Sequence, residues 1–357
     1  MASTRVIGFR EAMKLQNIEA VWITGDVNRR YLTGFTGSSG YVLVTMHKSF
    51  LLTDFRYMTQ AAEQAAGFEI VEHGASVTDS LKQLLATEGI NRLGFEEDNV
   101  VFSTYRSYER DLQPCELVPV TGLVEGLRQF KDDGELSLMK AAADLADRTY
   151  LHMLEQLKPG VTEWDMALEL ETFMRKNGAS GPSFDTIVAS GERSAMPHGV
   201  ASGKVIQRNE FVTLDFGALM NGYCSDITRT VFIGEPTAKH REIYDIVLEA
   251  QLHTLEFLRP GMTGREGDAL ARDIITRYGY GDQFGHSTGH GLGMEVHENP
   301  RVSKLSDTVL QPGMVVTVEP GIYIPGFGGV RIEDDVVVTE TGVRRLTEST
   351  KDFIVLG

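Results

Sequence analysis

Leu151-His152-Met153-Leu154-Glu155-Gln156-Leu157-Lys158-Pro159-Gly160-Val161-Thr162 returns 101 residues later as Leu252-His253-Thr254-Leu255-Glu256-Phe257-Leu258-Arg259-Pro260-Gly261-Met262-Thr263. Eight of the twelve positions are identical, and Lys158/Arg259 keeps its charge. An internal repeat of this kind marks a duplicated structural unit. Each copy reads as a helix end closed by Pro-Gly, then a second helix that stops at Gly178 or Gly279. The chemistry after each copy repeats as well. His198 precedes Asp215 and Asp226, and His297 precedes Glu319 and Glu333. The spacing of the acids drifts from 11 residues in the first copy to 14 in the second, as loop insertions would cause. Two similar halves packed face to face would bring two carboxylates from each to one shared centre.

The acids stand on strand-like runs. In Phe211-Val212-Thr213-Leu214-Asp215-Phe216, alternation puts Val212, Leu214 and Phe216 on one face and Thr213 and Asp215 on the other. In Val316-Thr317-Val318-Glu319, Thr317 and Glu319 oppose the two valines. One such carboxylate is explained by a salt bridge or an exposed strand end. Four in two matched pairs, with His290 between them in Gly285-His286-Ser287-Thr288-Gly289-His290-Gly291, are the donor set of a dinuclear metal site. That set makes a hydrolase the leading reading. Four carboxylates and one imidazole without a thiolate are hard donors, which favours Mn²⁺, with Co²⁺ and Zn²⁺ as alternatives. Two ions bridged by carboxylates and a water would acidify that water and polarise a carbonyl. His297-Glu298-Asn299-Pro300-Arg301 has Arg where a zincin motif needs its second His. His198 and His297 fall at matching places in the two copies, which points to the substrate side, where a neutral imidazole can donate to a carbonyl or an oxyanion. His152 and His253 also match, but packing in the helices explains them. Arg331, two residues before Glu333, is placed to orient a carboxylate ligand or a substrate carboxylate.

Composition narrows the classes. The 357 residues suffice for two domains, with 42% hydrophobic and 24% charged residues. A net charge of −16 argues against a nucleic-acid partner. No apolar run approaches a membrane span, and the first ten residues lack the apolar core of a signal peptide. Two distant cysteines, Cys115 and Cys224, argue against a disulfide framework, so a cytoplasmic location is expected. Ahead of the repeat, Ala20–Thr24, Tyr41–Val44 and Phe50–Thr53 read as strands, and Val6, Phe9 and Met13 mark one helical face. This is a smaller α/β domain, with the boundary expected after residue 124, giving domains 1–124 and 125–357. The Gly/Ser run Thr33–Gly40 lacks the Lys and the glycine spacing of a phosphate loop and reads as an ordinary loop.

Residues from about 130 to 357 resemble the catalytic domain of the creatinase/aminopeptidase P/prolidase/methionine aminopeptidase superfamily. Asp215, Asp226, His290, Glu319 and Glu333 match its five metal ligands in order and type, and His198, His286, His297 and Arg331 match accessory positions of its proline-specific members. Leu52-Thr53-Asp54-Phe55-Arg56-Tyr57 resembles the front domain of Xaa-Pro aminopeptidases. The resemblance implies an α+β chain with a pseudo-two-fold pita-bread catalytic domain behind a creatinase-like α/β domain, two divalent metal ions, and a homodimer. It implies cleavage before proline at the second position of a peptide. Glu319 would bind metal and relay the proton; His297 and His198 would bind substrate carbonyls; and His286, Arg331 and Tyr323 would line the pocket beyond the cut. An Xaa-Pro aminopeptidase is the first expectation and an Xaa-Pro dipeptidase (prolidase) the alternative. A metal-free binding module on the same fold is the non-enzyme alternative, disfavoured because all five ligands are present. The front domain argues against a methionine aminopeptidase, and the ligand set against creatinase chemistry.

Overall fold

The computed structural model describes residues 4–357; Met1–Ser3, the start of the segment read for a signal peptide, lie outside the described residues. The chain divides into two compact units, one running to Arg128 and the other Gln129–Gly357. The first unit extends past the expected boundary because helix Leu123–Arg128 belongs to it. Arg128 is buried there and donates to Asn28 Oδ1 at 2.9 Å.

The front unit is built on a six-stranded sheet in the order Glu69–Glu72, Ser49–Thr53, Tyr41–Thr45, Ala20–Ile23, Arg92–Glu96, Glu116–Val120. Ala20–Ile23 pairs antiparallel with Tyr41–Thr45 and parallel with Arg92–Glu96. A strand covered on both faces can be apolar at every position, and all four residues of Ala-Val-Trp-Ile are buried. Helix Thr4–Leu15 buries Val6, Phe9 and Met13, one stripe at helical spacing. The Gly/Ser loop is tied to the preceding helix: buried Arg29 donates to the carbonyls of Gly37 and Gly40.

The second unit carries the duplication. Helices Asp133–Gln156 and Ala238–Phe257 end before the two Pro-Gly turns, and helices Glu163–Lys176 and Gly264–Arg277 follow. The repeated threonine caps the second helix in both copies. Thr162 forms a capping box with Asp165, and Thr263 does so with Glu266. The repeated glycine is required by its backbone, since Gly160 and Gly261 have φ of 97° and 89°. The first half contains a sheet ordered Val355–Leu356, Ile227–Ile233, Glu210–Phe216, Ile187–Ser190. The second contains Glu298–Val302, Gly289–Gly291, Val315–Val318, Asp334–Val338, Val343–Arg345. No helix among the described residues is long and apolar enough to cross a membrane.

Candidate active site

Each acid pair is joined by a β-hairpin. Asp215 lies near the end of Glu210–Phe216; the chain turns through Ala218–Met220 and Tyr223–Cys224 and returns at Asp226 into Ile227–Ile233. Glu319 follows Val315–Val318; the chain turns through Gly321–Ile324 and Gly328–Arg331 and returns at Glu333 ahead of Asp334–Val338. The longer second hairpin accounts for the wider acid spacing, and it carries Tyr323 and Arg331. His290 comes from Gly289–Gly291, beside Val315–Val318. In the first half, the strand in that place is Ile187–Ser190, and Ala189 holds the position 101 residues before His290.

These side chains converge. Donor atoms of Asp226, His290 and Glu333 all lie within 4.8 Å of one another. His290 Nε2 is 3.6 Å from Asp226 Oδ2 and 3.4 Å from Glu319 Oε1. Its Nδ1 is 3.1 Å from Gly291 O, which accepts that ring proton and leaves the Nε2 lone pair facing the carboxylates. Thr228 Oγ1 donates to Glu333 Oε2 at 2.5 Å, and Asp226 N donates to Asp335 Oδ2 at 2.9 Å. Arg331 donates to Asp215 Oδ2, to Tyr323 Oη at 2.7 Å and, through Nε, to Thr228 Oγ1 at 3.0 Å. Its guanidinium is thus committed to an acid of the cluster and to the hairpin. His286 Nε2 and Tyr323 Oη are 2.7 Å apart. His297 stands edge-on to His290 with ring centroids 4.3 Å apart.

The electrostatics call for a cation. Burial, then the charges of Glu333 and Asp215, pushes Asp226 well above the usual carboxylate range. Burial, then Glu319 and Asp215, does the same to Glu333. Burial pushes Glu319 up to about 8, with Asp215 adding to the rise and Arg331 opposing it. Burial holds His290 down at about 3, so its imidazole is neutral and available as a ligand. Asp215 Oδ1 and Asp226 Oδ1 are buried and make no hydrogen bond. Crowded acids, two orphaned oxygens and an unprotonated ring nitrogen aimed between them fit divalent cations.

The cluster floors a cavity of about 520 Å³, whose wall includes His198, His286, His297, Arg301, Phe184 and Val200. All the site residues expected from the sequence except Tyr323 line it; Tyr323 stands behind, bonded to His286 and Arg331. In the sequence Arg301 stands out only as the residue that spoils a zincin motif. It is exposed on the cavity wall and has no carboxylate partner among the described residues. Asp268 was also missed. Buried in helix Gly264–Arg277, it accepts from Thr288 N at 3.0 Å and pairs with Arg272, which donates to His286 O at 2.7 Å. Its signal was faint: an Asp four residues before an Arg in a helix is ordinarily a surface pair.

A duplicated α+β unit that closes four acids and a histidine over a cavity defines a metallohydrolase. Residues 137–340 match metallopeptidase family M24, and residues 5–130 match the creatinase/prolidase N-terminal domain. The chain belongs to family M24, with the pita-bread fold. It is 41% identical to the Xaa-Pro dipeptidase of Pyrococcus furiosus over 96% of this chain and 97% of that one. Among solved structures it superposes on an Xaa-Pro dipeptidase from Bacillus anthracis with a TM-score of 0.98, at 51% identity and full coverage of both chains. It superposes on an X-Pro aminopeptidase from Thermotoga maritima with a TM-score of 0.92, at 41% identity, covering 97% of this chain and 100% of the other.

Proposed function

We propose that the protein is an Xaa-Pro dipeptidase. The observation that carries this choice over an aminopeptidase is Arg301. A dipeptide ending in proline presents a carboxylate just beyond the bond to be cut, whereas a longer peptide presents an amide. An exposed guanidinium on the cavity wall suits the carboxylate, and Arg331 is already committed elsewhere. The Bacillus anthracis and Pyrococcus relatives, both described as dipeptidases, support the same choice. The Thermotoga relative keeps the aminopeptidase as second reading.

Asp215, Asp226, His290, Glu319 and Glu333 would hold two divalent ions, with Mn²⁺ favoured by the donor set. Bound there, the ions supply an acidified water and a polarised scissile carbonyl. Glu319 reaches into the cavity with its side chain 15% exposed and can take the proton released at the attacking oxygen and pass it to the leaving proline nitrogen. His297, kept neutral by burial and by Arg301, donates to the oxygen on which charge develops. His198 donates to a substrate carbonyl from the opposite half. His286, fixed by Tyr323, faces the proline ring. Hydrolysis of Gly-Pro and of Gly-Pro-Ala by the Mn²⁺-loaded enzyme tests the assignment. A dipeptidase cleaves Gly-Pro at least about tenfold faster, the worth of one charge-assisted hydrogen bond. A preference for the tripeptide sinks it in favour of the aminopeptidase.

A further inference from the structure

Helix Glu163–Lys176 opens on an acid that is completely buried. Glu163 Oε1 accepts from Ser190 N at 2.8 Å and Ser190 Oγ at 2.9 Å. Its Oε2 accepts from Arg193 Nε at 2.9 Å, Ser202 N at 3.1 Å and Ser202 Oγ at 2.6 Å. Five donors meet one carboxylate, and they come from the two ends of a single loop. That loop, residues 190–202, carries Met196-Pro197-His198-Gly199. Arg193 ties the loop across its middle by donating to Val200 O at 2.6 Å. Glu163 N and Trp164 N also bond Lys204 O and Ser202 O, at 3.0 Å each. His198 itself is exposed to the cavity, and its ring makes no hydrogen bond among the described residues. No hydrogen bond holds the imidazole, so the course of the backbone beneath it governs where it stands.

A buried acid paired with a partly exposed arginine is a poor source of stability compared with an apolar packing of the same volume. Its value here lies in geometry. Every partner of the carboxylate is a donor, so the loop closes around negative charge at a helix N-terminus that favours it. We propose that Glu163 is a positioning residue for peptide hydrolysis: it fixes the 190–202 loop so that His198 is held over the cavity. The inference rests on the substrate-side role proposed for His198.

The test is a double-mutant cycle of Glu163→Gln and His198→Ala in the Mn²⁺-loaded enzyme, read with Gly-Pro, metal content and amide hydrogen exchange of residues 191–201. Whichever way the Gln amide turns, its NH₂ meets a backbone N–H, either that of Ser190 or that of Ser202. Glu163→Gln is expected to lower kcat/KM by roughly ten- to a hundredfold, the usual effect of misplacing a binding group by about 1 Å. Bound metal should be unchanged, because the five metal-binding residues lie outside the loop, and loop exchange should quicken. In the His198→Ala background the same change should cost less than about twofold, since the group it positions is gone. Equal losses in both backgrounds, or slow exchange of the loop in Glu163→Gln, overturn the positioning role. If His198→Ala leaves hydrolysis intact, the substrate-side role of His198 is what fails, and the exchange measurement still decides whether Glu163 orders the loop. Should Glu163→Gln not fold, Arg193→Met removes one donor from the rim of the same cluster and is judged by the same criteria.

Discussion

The two halves of the catalytic unit use one plan and finish it differently. Each Pro-Gly turn and the helix after it grip the segment beyond a cavity histidine through the same backbone bonds. Gly160 N pairs with Ile206 O and Gly261 N with Leu310 O; Glu163 N pairs with Lys204 O and Gly264 N with Thr308 O. At the next level they part. Position 163 is a buried acid that collects five donors, whereas its counterpart, Gly264, has no side chain and lies against the backbone of Arg301. The first half has Ala189 where the second has His290, and a short Asn221-Gly222 hairpin where the second builds a longer one bearing Tyr323 and Arg331. Duplication supplied a balanced set of acids. The differences between the halves supply the imidazole of His290 and the arginines Arg301 and Arg331.

The largest effect should come from the part the halves share. Asp226→Asn in the first half and Glu333→Gln in the second should each lower kcat/KM by about a thousandfold, because several kcal/mol of charge stabilisation is lost with a metal. A large loss from one half only would break the equivalence. Both variants should melt higher than the wild type when all are stripped of metal, since each removes a carboxyl group whose ionised form the folded cluster disfavours. Metal-free wild type should also lose stability as pH rises from about 4.5 to 8. Across that window folded Glu319, pushed up to about 8 from an ordinary 4.5, keeps a proton that the unfolded chain has released. The metal-induced gain in Tm should grow over the same range, because binding displaces protons. Thermal scans with EDTA and with Mn²⁺ at pH 5 and pH 8 check both signs, and a flat metal-free profile would contradict the crowding of the acids.

A smaller effect separates the two grips. A Cβ at position 264 would sit 2.1 Å from Arg301 O and 2.6 Å from Ser306 Oγ, so backbone must move to admit it. Gly264→Ala should cost about 1–3 kcal/mol of stability, as overpacking does. It should also raise KM for Gly-Pro more than it lowers kcat, because the shifted backbone carries Arg301. An unchanged KM with a lowered Tm would leave Gly264 purely structural and weaken the dipeptide reading.

What could be read in the sequence follows from what repeats or from what chemistry forbids. The Pro-Gly turns and the four acids were legible because local backbone rules and the cost of burying charge act through neighbours in the chain. Glu163 was not, since an acid in the first turn of a helix is ordinary and nothing nearby says that Ser190 and Ser202 fold onto it. Arg301 was hidden by register. Gly289–Gly291 pairs with Glu298–Val302 through a shift between His290 and Gly291, and only that pairing sets His290 opposite Arg301. The unit boundary slipped past residue 124 for a similar reason, the contact of Arg128 with Asn28 a hundred residues away.

The smallest effect tests identity without function. His152 and His253 match in the repeat, yet neither lines the cavity. His152 stacks on Phe173 at 4.3 Å with its Nε2 2.6 Å from Glu169, and His253 lies tilted on Phe257 at 4.5 Å. His152→Ala gives up a ring stack and a half-exposed polar pair, a loss of about 0.5–1 kcal/mol. His253→Ala gives up only a tilted contact and should stay within about 0.5 kcal/mol. Both should hydrolyse Gly-Pro at the wild-type rate. Equal kcat/KM with unequal Tm would mean that the matched histidines survive as packing, the one packed better than the other. A fall in kcat from either would show that the duplicated helices reach the chemistry by a route that their distance from the cavity does not suggest.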